Sequence, residues 1–211
     1  MLADVVALMD ALNLDRVHLI GHDWGALVGF QLCLRHPDRV RSFMALGVPH
    51  PFIRFDPRLL MVLWRLWFQV VIVTPLLGPR FLGKGHQRFA RYLLLNFTAN
   101  RDAWSEEDIE LFVAQLREPA RARAGSALYR SFIIPEAVHI LTGAYRSTRL
   151  RTPTRVLYGA EDPGIRPELL GGYEDHADDL ELEFVDGAAH FVADDRPDVV
   201  VERALELYAQ P

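Results

Sequence analysis

Apolar residues at Leu2, Val5, Val6, Met9 and Leu12 recur at helical spacing and predict a helix over 2–12. Asn13 to Arg16 ends it, and the β-rich run from Val17 to Gly21 predicts a strand. Ala26, Leu27, Phe30, Cys33 and Leu34 then return to helical spacing, so strand passes into helix through a very short turn. His36-Pro37-Asp38 stops that helix, and Val40 to Val48 reads as a second buried strand. Two strands separated by one helix make a βαβ unit and hence a parallel sheet. From Pro49 to about Arg149 the pattern changes. Helical segments follow one another at 59–71, 85–96, 106–116 and 120–132, several with aromatic residues on the apolar side. Ser105-Glu106-Glu107-Asp108 reads as a helix start, with Ser105 as cap and acids in the first turn. The α/β alternation resumes with a strand at 152–159, an acidic loop Ala160-Glu161-Asp162-Pro163 and a short helix near 167–173. Residues 180–185 alternate apolar and charged, as a half-exposed strand near a sheet edge does. A loop at 187–191 and an amphipathic helix at 197–208 follow. The expected architecture is α/β: a parallel sheet with helices on both faces, built from 1–51 and 150–211, with an all-helical insertion at 52–149.

The chain has 211 residues, half of them hydrophobic, enough to bury a substantial core. Its formal net charge of −5, with no long run of like charge, argues against nucleic acid or an anionic membrane as a main partner. Arg117, Arg121 and Arg123 cluster around Glu118 and read as a solvated helix end. The single cysteine, Cys33, lies on an apolar helix face, so it reads as a small buried hydrophobe and permits no disulfide within one chain. The start is not basic and then apolar, and the uncharged run from Leu66 to Pro79 is too short to span a bilayer. A soluble, cytoplasmic protein with no membrane span is expected, with no metal or other cofactor.

The strand-to-helix turn is where chemistry enters. Gly21 and Gly25 flank Asp23 in Gly21-His22-Asp23-Trp24-Gly25, and glycine suits both places if a β-carbon there would collide with neighbouring chain. In the acyl-transfer elbow G-x-S-x-G the apex residue is a serine that attacks carbonyls. A carboxylate at the apex suits attack on a saturated carbon, leaving an ester of the enzyme itself. Asp is also among the best helix caps, so Asp23 has a purely structural reading. In a parallel α/β sheet, loops at the carboxyl ends of the strands gather on one edge. Three such loops carry Asp23, Asp162 and His190, in the order nucleophile, acid, base. Asp162 also reads as a turn acid before Pro163, His190 as a lone surface imidazole, and Glu161 as an alternative acid.

Gly-His-Asp-Trp-Gly at 21–25 with Val-Pro-His-Pro at 48–51 resembles the epoxide hydrolase branch of the α/β-hydrolase superfamily. The resemblance runs along essentially the whole chain and makes the helical insertion a cap. It implies that Asp23 attacks a ring carbon of a small apolar epoxide, and that His190, oriented by Asp162, activates water against the resulting ester to give a vicinal diol. The Trp24 N–H is an implied oxyanion donor. Of two tyrosines that protonate the leaving alkoxide in the family, Tyr129 in Leu128-Tyr129-Arg130 matches one; Phe68, without a hydroxyl, stands at the other. Phe68 and Trp67 are expected in the substrate pocket, while His22 and His50 are expected to hold loops. Haloalkane dehalogenases share the elbow and would use the Trp24 indole, with Trp64 or Trp67, to hold a halide. Family members begin with further strands carrying a His-Gly-x-Pro loop, so the resemblance implies a partial fold, the carboxyl-terminal three quarters of a hydrolase. The strand at 17–20 would then have an unpaired edge and the site one oxyanion donor fewer. Either the reading frame starts upstream, or the chain is a poorly active fragment; a catalytically inert binding module is the alternative of another class.

Overall fold

A computed structural model describes residues 1–53, 56, 57, 64–164 and 170–209. Helix α1 (Leu2–Ala11) leads into strand β1 (Val17–His22), helix α2 (Trp24–Arg35) and strand β2 (Val40–Leu46). Strands β3 (Thr154–Gly159) and β4 (Leu180–Val185) come after the helical insertion. The four strands pair in chain order, all parallel, with β1 and β4 at the two edges. Side chains of a strand point alternately to its two faces. Phe43 and Ala45 of β2, with Val156 and Tyr158 of β3, therefore pack against Met9 of α1 and Ala26, Phe30 and Cys33 of α2. Met44, Leu46 and Leu157 point the other way, onto Val200, Ala204 and Leu207 of helix α10 (Pro197–Tyr208). Helices thus cover both faces. Each large side chain so buried contributes about 1.5–3 kcal/mol. At the β1 edge Ile20 is exposed.

The insertion contains α3 (Trp67–Val73), α4 (Leu77–Gly83), α5 (Arg88–Asn96), α6 (Glu106–Val113), α7 (Pro119–Leu128), a π-helical turn (Tyr129–Ile133) and α8 (Ile134–Thr142). Ser105 and Asp108 close a reciprocal capping box at the start of α6. Two of these helices escape the hydrophobic periodicity. In α4, Pro79 sits within the first turn, where its missing N–H costs nothing. In α8, Pro135 is likewise at the helix start, just after the π-turn. The expected helix at 59–71 falls partly on residues outside the described set, and so does the one at 167–173. The described part of the latter, 170–173, is not helical, because Gly171-Gly172 interrupts it and Gly172 adopts φ +102°. Gln31 of α2 ties the insertion to the sheet layer by donating to the buried Glu136 carboxylate of α8, to which Tyr145 of the insertion also donates. Among the described residues no single helix is long and apolar enough to cross a membrane.

Candidate active site

Asp23 sits between β1 and α2 at φ +49°, ψ −117°, outside the left-handed helical region and strained for any L-residue. Three hydrogen bonds hold it there. Its N–H donates to the Leu46 carbonyl of β2 at 3.1 Å, and its own carbonyl accepts from Ala26 and Leu27. The bend works only because Gly21 lacks a side chain: a β-carbon there would lie 2.8 Å from the Ala26 nitrogen. Gly25 differs from expectation. It is exposed in the first turn of α2 and an added β-carbon meets nothing within 4 Å. The Asp23 side chain makes no capping bond to α2, so the capping reading does not hold. Its carboxylate is 39 % exposed, with Oδ1 at 3.8 Å from His190 Nε2.

His190 lies in the loop after β4, and its Nδ1 faces Asp162 Oδ2 at 3.4 Å. The Asp162 side chain is only 4 % exposed. Its other oxygen accepts the Gly164 N–H at 2.6 Å, so the same carboxylate both shapes the turn and faces the imidazole. Glu161 is exposed. Burial by itself would push the His190 pKa down. The hydrogen bond to Asp162 and the negative charges of Asp23 and Asp162 outweigh it, and the imidazole ends above its ordinary value. The loops of Asp162 and His190 approach so closely because Gly159 ends β3: a β-carbon there would lie 2.1 Å from the Ala189 carbonyl oxygen. His22 donates from Nε2 to the His190 carbonyl at 2.9 Å, and burial holds its pKa low. His50, fully buried, donates to the Leu170 carbonyl and accepts the Phe52 N–H, which pins the segment after β2.

These side chains open into a mainly apolar cavity of about 360 Å³ between sheet and insertion. Trp24, Phe68, Phe97 and Tyr129 are among its walls. Tyr129 begins the π-turn, a helical irregularity often found at functional sites. Its ring meets that of Trp24 edge-on at 4.9 Å. Burial first, then the Asp23 charge, raise the phenol pKa, with a hydrogen bond to the Trp24 side chain partly offsetting them. Trp67 does not line the cavity. It is half exposed and packs on Phe89 and Tyr92, since residues 67 and 68 point to different sides of α3. The Trp24 N–H, first in α2, has no intrahelical acceptor and is available to an oxyanion beside Asp23. No group of three potential metal ligands occurs among the described residues.

One residue of this region carries no signal in the local sequence. Asp195, in the short helix α9 (Val192–Asp195), accepts the Ala189 N–H at 2.9 Å, the Ala99 N–H at 3.0 Å, the Asn100 N–H at 3.4 Å and the Thr98 hydroxyl. The His190 N–H in turn donates to the Phe97 carbonyl at 2.9 Å. Asp195 therefore fastens the His190 loop to the insertion across some 95 residues of chain. In sequence it is one of two consecutive acids before Arg196-Pro197 and looks like any surface carboxylate. Asp195→Ala leaves these N–H groups without their acceptor and loosens the imidazole. Because an error of 1 Å in placement costs roughly 10²-fold, a loss of about ten- to a hundredfold in kcat is expected, with KM nearly unchanged. Steady-state kinetics check it.

A family model described as the alpha/beta hydrolase fold matches residues 1–197. Among curated proteins, the chain is 28 % identical over 228 residues to an epoxide hydrolase 2 from Siraitia grosvenorii, covering 92 % of this chain and 70 % of the relative. It is 29 % identical over 133 residues to a fluoroacetate dehalogenase from Burkholderia, covering 62 % and 44 %. Among solved structures, the epoxide hydrolase CorEH superposes with a TM-score of 0.80 at 25 % identity, covering 99 % of this chain and 73 % of that one.

Proposed function

The chain belongs to the alpha/beta hydrolase fold family, and from that premise we propose that it opens epoxides to vicinal diols through an ester on Asp23. The observation that carries this reading is the line Asp23, His190, Asp162, with gaps of 3.8 and 3.4 Å, facing an apolar cavity that also holds the Tyr129 phenol. Helices of the 52–149 insertion act as the cap over that cavity. An Asp23 carboxylate oxygen attacks a ring carbon, the carbon–oxygen bond breaks, and Tyr129 gives its proton to the departing oxygen. The ester remains on Asp23. His190 then takes a proton from water as the hydroxide adds to the ester carbonyl, and the Trp24 N–H stabilises the oxyanion. Collapse releases the second alcohol and regenerates the carboxylate, and the proton held on His190 returns to the Tyr129 oxygen. Water is the only co-reactant.

Tyr129 favours an epoxide over a haloalkane. A halide leaves without a proton, whereas an alkoxide requires one, and this phenol keeps its proton until a strong base appears. The Trp24 indole, which a halide would need, is engaged with Tyr129. Incubation with aliphatic and aryl epoxides, set against chloro- and fluoro-carboxylates and haloalkanes, separates the readings. Diol formation without halide release is expected. Halide release without diol assigns the dehalogenase reaction, and neither product leaves the fold as a binding module.

A further inference from the structure

On the outer side of the insertion, away from Asp23 and His190, an apolar surface adjoins a row of cations, most of them without a carboxylate partner among the described residues. Helices α3 and α4 are short, rich in large apolar residues and bent by 101° at the break between them. Phe68 and Gln69 of α3 line the cavity, while Trp67 and Val70 face outward, Val70 with 67 % of its surface exposed. Trp67 and Phe81 both meet Phe89, at 6.0 and 5.9 Å, and Trp67 meets Tyr92 at 6.3 Å, so these rings form one continuous half-exposed cluster. At the break stands Leu76, 87 % exposed and at φ +67°. A bulky apolar side chain bears both conformational strain and exposure to water at that place.

Beside Leu76 runs a groove of about 650 Å³, floored by Pro75, Leu76 and Pro79. Arg80, Lys84, Arg117, Arg123 and Arg130 border it, and no acidic residue does. Of these, Arg117 alone has a carboxylate partner, Glu110, among the described residues. The net charge of −5 hides this local excess, which is why the sequence argues against an anionic surface as partner.

We propose that this face docks the protein onto an anionic lipid bilayer, with Leu76, Leu77 and the aromatic cluster entering the headgroup boundary and the groove cations contacting lipid phosphates. Large apolar exposed patches mark interaction sites. A bent helix pair with Trp and Tyr at its margin and cations alongside suits the membrane interface, where hydrocarbon and negative charge occur together. A second copy of the chain is a poorer occupant, because a two-fold contact would set the same cations against one another. The proposal is independent of the reaction assigned to the cavity. It also places α3 between the lipid and the cavity, a suitable position for capturing apolar substrates.

Co-sedimentation of the full chain with phosphatidylcholine vesicles, with and without about one-third phosphatidylserine at about 0.1 M salt, tests this. Binding to the anionic vesicles and weakening at high salt are expected. Each exposed cation neutralised lowers the affinity about fivefold, so R80Q/K84Q/R123Q together lower it about a hundredfold. Leu76→Gly gives the discriminating result: glycine relieves the positive φ, so the melting temperature holds or rises while vesicle affinity falls. Equal binding to neutral and anionic vesicles, no binding to either, or affinity unchanged by both variants would overturn the proposal. So would a concentration-dependent dimer in the absence of lipid that Leu76→Gly abolishes, which assigns the face to a second copy.

Discussion

Asp23→Asn lowers diol formation by about 10⁴-fold or more, the scale of losing a nucleophile that acts as one unit with its base, or above 5 kcal/mol of barrier. The substitution is nearly isosteric, and at φ +49°, ψ −117° Asn bears the same backbone strain as Asp. Since the Asp23 side chain makes no capping bond, its charge is not holding α2, and the melting temperature stays within a degree or two of the parent. The two readings of this residue therefore predict opposite results. A cap loses stability and keeps its chemistry; a nucleophile loses chemistry and keeps its stability. Turnover within tenfold of the parent would show that some other group attacks. The measurement is diol formation beside a thermal melt, with intact-protein mass spectrometry showing a substrate-sized adduct on the parent that the variant never acquires.

The parallel sheet, its helices and the positions of Asp23, Asp162 and His190 were legible in the sequence because local signals marked them. A β-rich run against a helical period defined β1 and α2, and glycine at 21 marked the close approach to Ala26. The three site residues follow the carboxyl ends of β1, β3 and β4, and parallel topology alone carries such loops to one edge. What escaped the sequence depends on contacts with no local signature. Which side of α3 faces the cavity is decided by its packing partners: Phe68 lines the cavity, and Trp67, one position away, turns onto Phe89 and Tyr92. Asp195 acquires its role from Ala189 and from Thr98 to Asn100, which only the folded chain brings near. The cations at 80, 84, 117, 123 and 130 are dispersed in sequence and become one row only when α4 and α7 lie side by side. Helices α4 and α8 are short and carry proline in the first turn, where it begins a helix without loss, so their apolar period is too brief to mark them.

His190→Gln separates the two halves of the reaction. Attack by Asp23 does not need the imidazole, so ester formation falls less than about tenfold, whereas hydrolysis of the ester loses its general base and falls by roughly 10²- to 10⁴-fold. The ester accumulates, visible as a stable mass increase equal to one substrate. An equal loss in both halves would refute the assignment of the base. The pH dependence gives an independent check. His190 must be neutral to accept a proton, and its pKa lies above the ordinary value of 6.5 because Asp162 and Asp23 hold the imidazolium. Ester hydrolysis, and kcat where it limits turnover, therefore falls on the acid side as His190 charges, whereas kcat/KM, which ends at ester formation, does not depend on the imidazole. Stability runs the other way. A raised histidine pKa contributes stability that is fully present below 6.5 and is lost as pH rises through the folded value, so activity grows across the same window in which this contribution fades. Once Asp23 is esterified its negative charge is gone and one support of the imidazolium disappears, leaving His190 more readily neutral when water must be activated. Asp23→Asn imitates that state: the His190 ring signal titrates at lower pH in the variant than in the parent, and an unchanged titration would mean that the two side chains do not sense each other across 3.8 Å.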